Sequence, residues 1–187
     1  LFSTTGKISG NATWLMQRTA KQRTSLHFGL GFDSIDRFVN DVALTPQRFS
    51  SATVGVSHVR TVGTTRFSIG ATVAKGLQWF NATEDADNPR TDQPRSQFHK
   101  LSLTASASRD LGKAAKLNSS FSGQWSRHAL YSTQQMTLGS TTAIRGFKGR
   151  PLTADRGAML ITELSLAPIW KAGVHRIDGK RNWWLSK

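Results

Sequence analysis

"RFSIGATVAKGLQW", residues 66–79, alternates with a period of two. Phe67, Ile69, Ala71, Val73, Leu77 and Trp79 share one face, interrupted only by Lys75, while Ser68, Gly70, Thr72, Ala74, Gly76 and Gln78 share the other. Successive side chains of a strand point to opposite faces, so this stretch specifies a strand with one oily side and one small, polar side.

The same alternation recurs along the chain. It appears in Ile8, Gly10, Ala12, Trp14 and Met16, in Leu26, Phe28, Leu30 and Phe32, and in Ala52, Val54 and Val56. It returns in Leu101, Leu103, Ala105 and Ala107, more loosely in Leu117, Phe121 and Trp125, and again in Leu160, Leu164 and Leu166. Seven strands are therefore expected, with "NWWLSK" at 182–187 beginning an eighth.

The connections alternate too. Short turns are expected near 18–23, 61–65 and 110–115, and long loops near 37–47, 80–96 and 129–156. A water-soluble sandwich also has period two, but has no reason to gather every long connection at one end. Outer-membrane barrels do, with short turns on the periplasmic side and long loops outside. Trp79, Phe80, Phe98 and Trp125 fall near the long-loop ends, where an interfacial aromatic girdle is expected. Arg18, Lys21, Arg23, Arg60, Arg66, Arg109, Lys113 and Lys116 cluster around the short turns; Asp33, Asp36, Asp41, Glu84, Asp85, Asp87 and Asp92 lie in or beside the long loops.

Composition narrows the function. The 187 residues suffice for one sizeable domain or for part of a larger one, and the abrupt start, without leader or cap, suggests that residue 1 is not a natural terminus. There is no cysteine, which excludes disulfides, thiolate metal sites and cysteine nucleophiles. A net charge of +14 suits nucleic acid, lipid phosphates or an acidic polypeptide. The basic residues are spread over strand ends and not gathered with stacking aromatics, which argues against nucleic acid as a partner. No run approaches the roughly 18 consecutive apolar residues of a spanning helix. His27, His58, His99, His128 and His175 lie in different segments, and none sits in a Ser-His-acid motif, so no catalytic residue, cofactor or metal is expected.

If the oily faces meet lipid, the polar faces line a lumen of Ser, Thr, Gly, Asn and Gln. An eight-stranded barrel is just wide enough for its own side chains. Seven or eight strands are therefore part of a wider barrel if the insert at 129–156 enters the lumen.

That insert lies within "SGQWSRHALYSTQQMTLGSTTAIRGFKGRPLTADRGAMLITELSL", residues 122–166. This region resembles the two-partner secretion transporters, the TpsB or haemolysin secretion/activation family, in which a "GQ" strand leads through "L…S.EQF.LGG…VRGF" to "L.GDRG…NEL". The matching residues are Gly123-Gln124, Leu130, Ser132, Gln134-Gln135-Met136, Leu138-Gly139, Ile144-Arg145-Gly146-Phe147, Leu152, Ala154-Asp155-Arg156-Gly157 and Thr162-Glu163-Leu164. Upstream, "AKGLQWFNA" at 74–82 is similar to the family's "RGL.WLGA".

The resemblance implies an all-β, antiparallel, sixteen-stranded outer-membrane barrel preceded by periplasmic POTRA domains, which exports a large haemolysin, adhesin or toxin unfolded. Residues 1–187 would be one part of that barrel, with the POTRA domains and remaining strands elsewhere. The implied partners are the secreted TpsA-type exoprotein and outer-membrane lipid with lipopolysaccharide. Ile144, Arg145, Gly146 and Phe147 match the lumenal "VRGF" tip, whose arginine pairs with a wall carboxylate in an "F.D.G" motif. No clear "F.D.G" follows: "RIDGK" has Asp178 before Gly179 but lacks the aromatic, so the partner is expected beyond Lys187. Asp155, Arg156 and Gly157 are expected to structure the loop. Glu163 shares the face of Met159, Ile161 and Ser165, and is expected to face the lumen as a wall charge. The alternative is a BamA- or TamA-type assembly factor, which shares the fold and the loop motif.

Overall fold

The computed structural model describes residues 2–39, 42–43, 47–85, 93–112, 114–138 and 152–166. These form ten strands: β1 (Phe2–Arg18), β2 (Gln22–Val39), β3 (Val42–Ala43), β4 (Gln47–Val62), β5 (Thr65–Leu77), β6 (His99–Asp110), β7 (Ala115–Ser126), β8 (Met136–Leu138), β9 (Leu152–Ala154) and β10 (Gly157–Leu166). The large sheet is an antiparallel meander in the order β1-β2-β4-β5-β6-β7-β10, with β3 folded onto β2; β8 and β9 pair separately. No further strand of the described residues pairs the outer edges of β1 and β10, so the sheet is an open wall. The seven expected long strands are present. The proposed eighth, at 182–187, lies outside the described residues.

Register converts period two into rows that run across the sheet. Ala12, Phe28, Val54, Val73, Leu101 and Trp125 are successive cross-strand partners from β1 to β7. Trp14, Leu26, Val56, Ala71 and Leu103 form the adjoining row. Both are apolar from strand to strand and largely bare, with Trp14, Val54, Val73 and Trp125 each more than half exposed. The opposite face carries rows such as Thr13, His27, Gly55, Thr72, Ser102, Gln124 and Gly157. His27 bridges Thr13 and Ser57 through its two ring nitrogens at 3.2 and 2.8 Å. Lys7 pairs with Asp33 at 3.6 Å on the same face.

One bulge corrects the face assignment of β1. Pairing shifts between Leu15 and Gln17, leaving Met16 out of the ladder. Without that extra residue Arg18 would share the face of Trp14; with it, Arg18 moves to the polar face opposite Arg23.

Two further expectations are corrected and one is refined. The described residues of the expected long loop at 37–47 are strand, because β2 runs to Val39, β3 pairs back onto it, and β4 begins at Gln47. The insert at 129–156 contains the short hairpin β8–β9. Phe98 is not part of an exposed girdle: it is 1% exposed, on the polar side with Ala74 and Leu130. Trp79, Phe80 and Trp125 are exposed, and Phe80 reaches its place through a positive φ of 56°, setting its ring edge-on to Phe32 at 6.2 Å.

Buried side chains gather at the long-loop end, where Ile35, Phe49, Ala74, Ala82, Phe98 and Leu130 lie. Gly76 makes that packing possible. Its N–H donates to the Phe98 carbonyl at 2.9 Å, and a Cβ there would overlap the Ser96 carbonyl oxygen. Gly76→Ala is expected to push the 96–98 segment off β5 at about 1–3 kcal/mol of overpacking. Faster amide exchange at Gly76, with unchanged exchange at the Gly63 turn, is the expected reading; equal protection at Gly76 would show that the segment accommodates the methyl group.

Candidate functional site

The root of the insert folds against the polar face, and four strands supply its contacts. Tyr131 sets its ring 4.6 Å from that of Phe49 on β4, and Leu130 packs with Ala74 of β5 and Phe98 before β6. These contacts carry the segment after β7 laterally over β6 and β5 to β4. Lys100 of β6 donates through Nζ to the Gln134 carbonyl and to Gln134 Oε1, both at 3.1 Å. Gln124 of β7 donates through Nε2 to the carbonyls of Gln134 at 3.2 Å and Asp155 at 3.4 Å.

Asp155 and Arg156 lock the two ends of the insert together. Asp155 Oδ1 accepts the Leu130 N–H at 2.9 Å and Gln135 Nε2 at 3.0 Å. Arg156 Nε donates to the Ser126 carbonyl at 2.7 Å, and its guanidinium lies 6.0 Å from the Trp125 ring centroid on the apolar face. Asp155 thus bonds the insert beside the polar face, while Arg156 reaches the end of β7 and the Trp125 ring on the apolar face. Gly157 then begins β10; a Cβ there would meet Leu138 Cδ1 of β8 at 3.3 Å, which shows how closely the hairpin lies over it.

The second long connection is tied in beside the first. Both carboxylate oxygens of Asp85 are engaged, by the N–H of Ser96 at 2.6 Å and of Gln97 at 3.1 Å. Arg95 N–H donates to the Ala129 carbonyl at 3.0 Å.

His128 sits where the two connections meet, its ring 5.8 Å from that of His99. Its Nδ1 is buried without a hydrogen-bond partner among the described residues. Burial, and then the nearby Arg95, His99 and Arg127, hold its pKa below the usual 6.5, opposed weakly by Asp85. The folded root therefore favours the neutral ring. That preference costs nothing above the ordinary pKa, and it weakens the root as pH falls through 6.5 toward the depressed value. Exchange protection of the Leu130 amide, corrected for intrinsic rates, is expected to fall as pH drops below the ordinary histidine pKa of 6.5, and His128→Gln to flatten the profile. A flat profile in the parent protein would contradict this.

Glu163 is elsewhere. It is cross-strand partner to Asn118 on the polar face, six residues along β10 from Gly157, or roughly 20 Å at strand spacing. The structure thus brings together Asp155, Arg156 and Gly157 but not Glu163. Ile144, Arg145, Gly146 and Phe147 lie outside the described residues, in the interval that β8 and β9 close. Sequence reading missed Lys100, placed Phe98 in an outer girdle, and singled out Leu130 only as a motif match. The parity of Phe98 with Lys100 and Ser102, and not with Leu101 and Leu103, was the available signal for its inward side.

Comparison with known proteins gives a consistent pattern. The family model described as haemolysin secretion/activation protein ShlB/FhaC/HecB matches residues 3–178. The outer membrane transporter CdiB of Dickeya dadantii (strain 3937) is 30% identical over 157 residues, which are 83% of this chain and 27% of that protein. The hemolysin transporter protein ShlB of Serratia marcescens is 30% identical over 157 residues, 81% of this chain and 28% of its own length. The solved structure of CdiB from Escherichia coli superposes with a TM-score of 0.81 at 27% identity, over 88% of this chain and 31% of that one. The chain therefore spans less than a third of the length of these relatives.

Proposed function

The chain belongs to the haemolysin secretion/activation family ShlB/FhaC/HecB, and from that premise we propose that it forms part of the wall of an outer-membrane pore exporting a large partner exoprotein. The bare apolar rows face lipid, the polar rows line the lumen, and the short turns lie on the periplasmic side. The cargo passes extended along a face of Ser, Thr, Asn and Gln side chains, which offers hydrogen bonds without an apolar surface on which an unfolded chain would stick. Outer-membrane lipid and lipopolysaccharide surround the wall.

The carrying observation is the insert root pinned to the polar face by Lys100, Gln124, Asp155 and Leu130. A loop anchored there can project the Ile144–Arg145–Gly146–Phe147 tip into the lumen. Arg145, with its planar and permanently charged fork, positions that tip against a wall carboxylate. Asp155, Arg156 and Gly157 hold the root, and Glu163 serves as a polar-face wall charge nearer the short turns. No step calls for catalysis.

Deleting the transporter is expected to abolish surface delivery of its exoprotein while other outer-membrane proteins keep their levels. A general fall in outer-membrane proteins, with export of the exoprotein intact, would favour the assembly-factor reading instead.

A further inference from the structure

One row of the apolar face changes character at its outer edge. Beyond Val73 and Leu101, the next cross-strand pair on the same face is Lys75 and His99, whereas the same level on β1, β2 and β4 is Gly10, Leu30 and Ala52. Both Lys75 and His99 are exposed. Next to them, the loops bring three further cations and a second imidazole together: Arg95, bonded through its N–H to Ala129; Arg127, directly after β7, with the His128 ring beside that of His99; and Arg156, over Trp125. The Asp85 carboxylate is already taken by two backbone N–H groups, and no carboxylate of the described residues lies within ion-pair distance of these cations.

Cations gathered at one rim favour a polyvalent anion between them. The lumenal cargo cannot be that anion, because Lys75, His99 and Trp125 stand on the opposite face of the wall. Directly below lies an apolar strip, the exposed Val73 and Trp125 with half-buried Leu101 between them, which would accept acyl chains. A cationic rim above an apolar strip fits an acylated phosphate. The patch spans three strands, about 10 Å at sheet spacing, which is room for two phosphates on one headgroup.

We propose that Lys75, Arg95, His99, Arg127, His128 and Arg156 form a binding site for the diphosphorylated headgroup of an outer-leaflet glycolipid, at the rim where β5, β6 and β7 meet the long loops. The site rests on the reading that this face meets lipid with the long loops outside. Guanidinium and ammonium groups bind the phosphates, the imidazoles donate to them, and Trp125 with Leu101 and Val73 holds the first carbons of the acyl chains. Arg156 links this site to the lumen, since the neighbouring Asp155 holds the insert root on the other face.

The test uses the full-length transporter in lipid nanodiscs and hexa-acylated diphosphoryl lipid A as probe, read by native mass spectrometry. Combined Lys75→Gln, His99→Gln and Arg127→Gln is expected to lower occupancy at least about tenfold, the factor expected when charge-assisted bonds are lost. Arg60→Gln with Arg109→Gln, at the short-turn rim of the same face, should leave it unchanged. Unchanged occupancy in the triple variant overturns the proposal. Equal binding of the dephosphorylated glycolipid, equal binding of phosphatidylglycerol, or displacement by inorganic phosphate would each overturn the assigned ligand. The triple variant is expected to keep exporting the exoprotein, so failure of the lipid site and failure of the secretion reading give different results.

Discussion

Asp155→Ala is expected to free the insert root from the wall and to reduce export sharply. One carboxylate oxygen accepts both the Leu130 N–H and Gln135 Nε2, and Leu130 is 2% exposed. Removing it leaves a backbone donor beside a buried side chain, a loss of about 1–3 kcal/mol, and breaks a second charge-assisted bond. A local destabilisation of about 3 kcal/mol would speed Leu130 amide exchange by about a hundredfold. Asp155→Asn keeps an acceptor and should fall between. Parental protection in Asp155→Ala, with normal export, would show that Lys100 and Gln124 hold the root unaided.

The second large effect is expected at Arg145. Arg145→Ala should lower export of the exoprotein by about tenfold or more while the amount of folded barrel in the outer membrane stays normal, since one charge-assisted pair of about 1.5–3 kcal/mol is removed. Arg145→Lys keeps the charge but not the bidentate fork, and is expected to restore export only in part. Combined with Asp155→Ala, the loss should be far from additive, because both changes act on one loop. Normal export by Arg145→Ala would remove the tip from the mechanism.

Much of this architecture is legible in the sequence because lipid on one side and water on the other impose period two over the full length of a strand. "RFSIGATVAKGLQW" shows one face of the wall, and its pattern repeats in seven strands. The features that escaped are those that period two does not encode. A bulge adds one residue at Leu15–Gln17 and moves Arg18 across the sheet, yet no composition marks it. Strands of three residues, β8 and β9, are too short to show a period. Lys100 reads as one more polar-face residue until folding brings it to Gln134, 34 positions away. Phe98 was assigned by its place near a loop end, although its parity put it on the inner side, where Ala74 and Leu130 bury it. Asp155 and Arg156 stood out only through the family motif; their roles in bonding the root depend on pairings of 25 and 30 residues' separation.

The central claim is that one face of this wall meets lipid and the other meets cargo in transit. This chain has no cysteine of its own, so single cysteines can be placed on β5 without altering any native thiol here. The direct measurement is disulfide or photo-cross-linking from Thr72→Cys and from Val73→Cys, neighbours on opposite faces, to an exoprotein stalled during export through the full-length transporter. Adducts from position 72 and none from position 73 are the predicted result; adducts from position 73, or from neither while the exoprotein is stalled in the membrane, would contradict it.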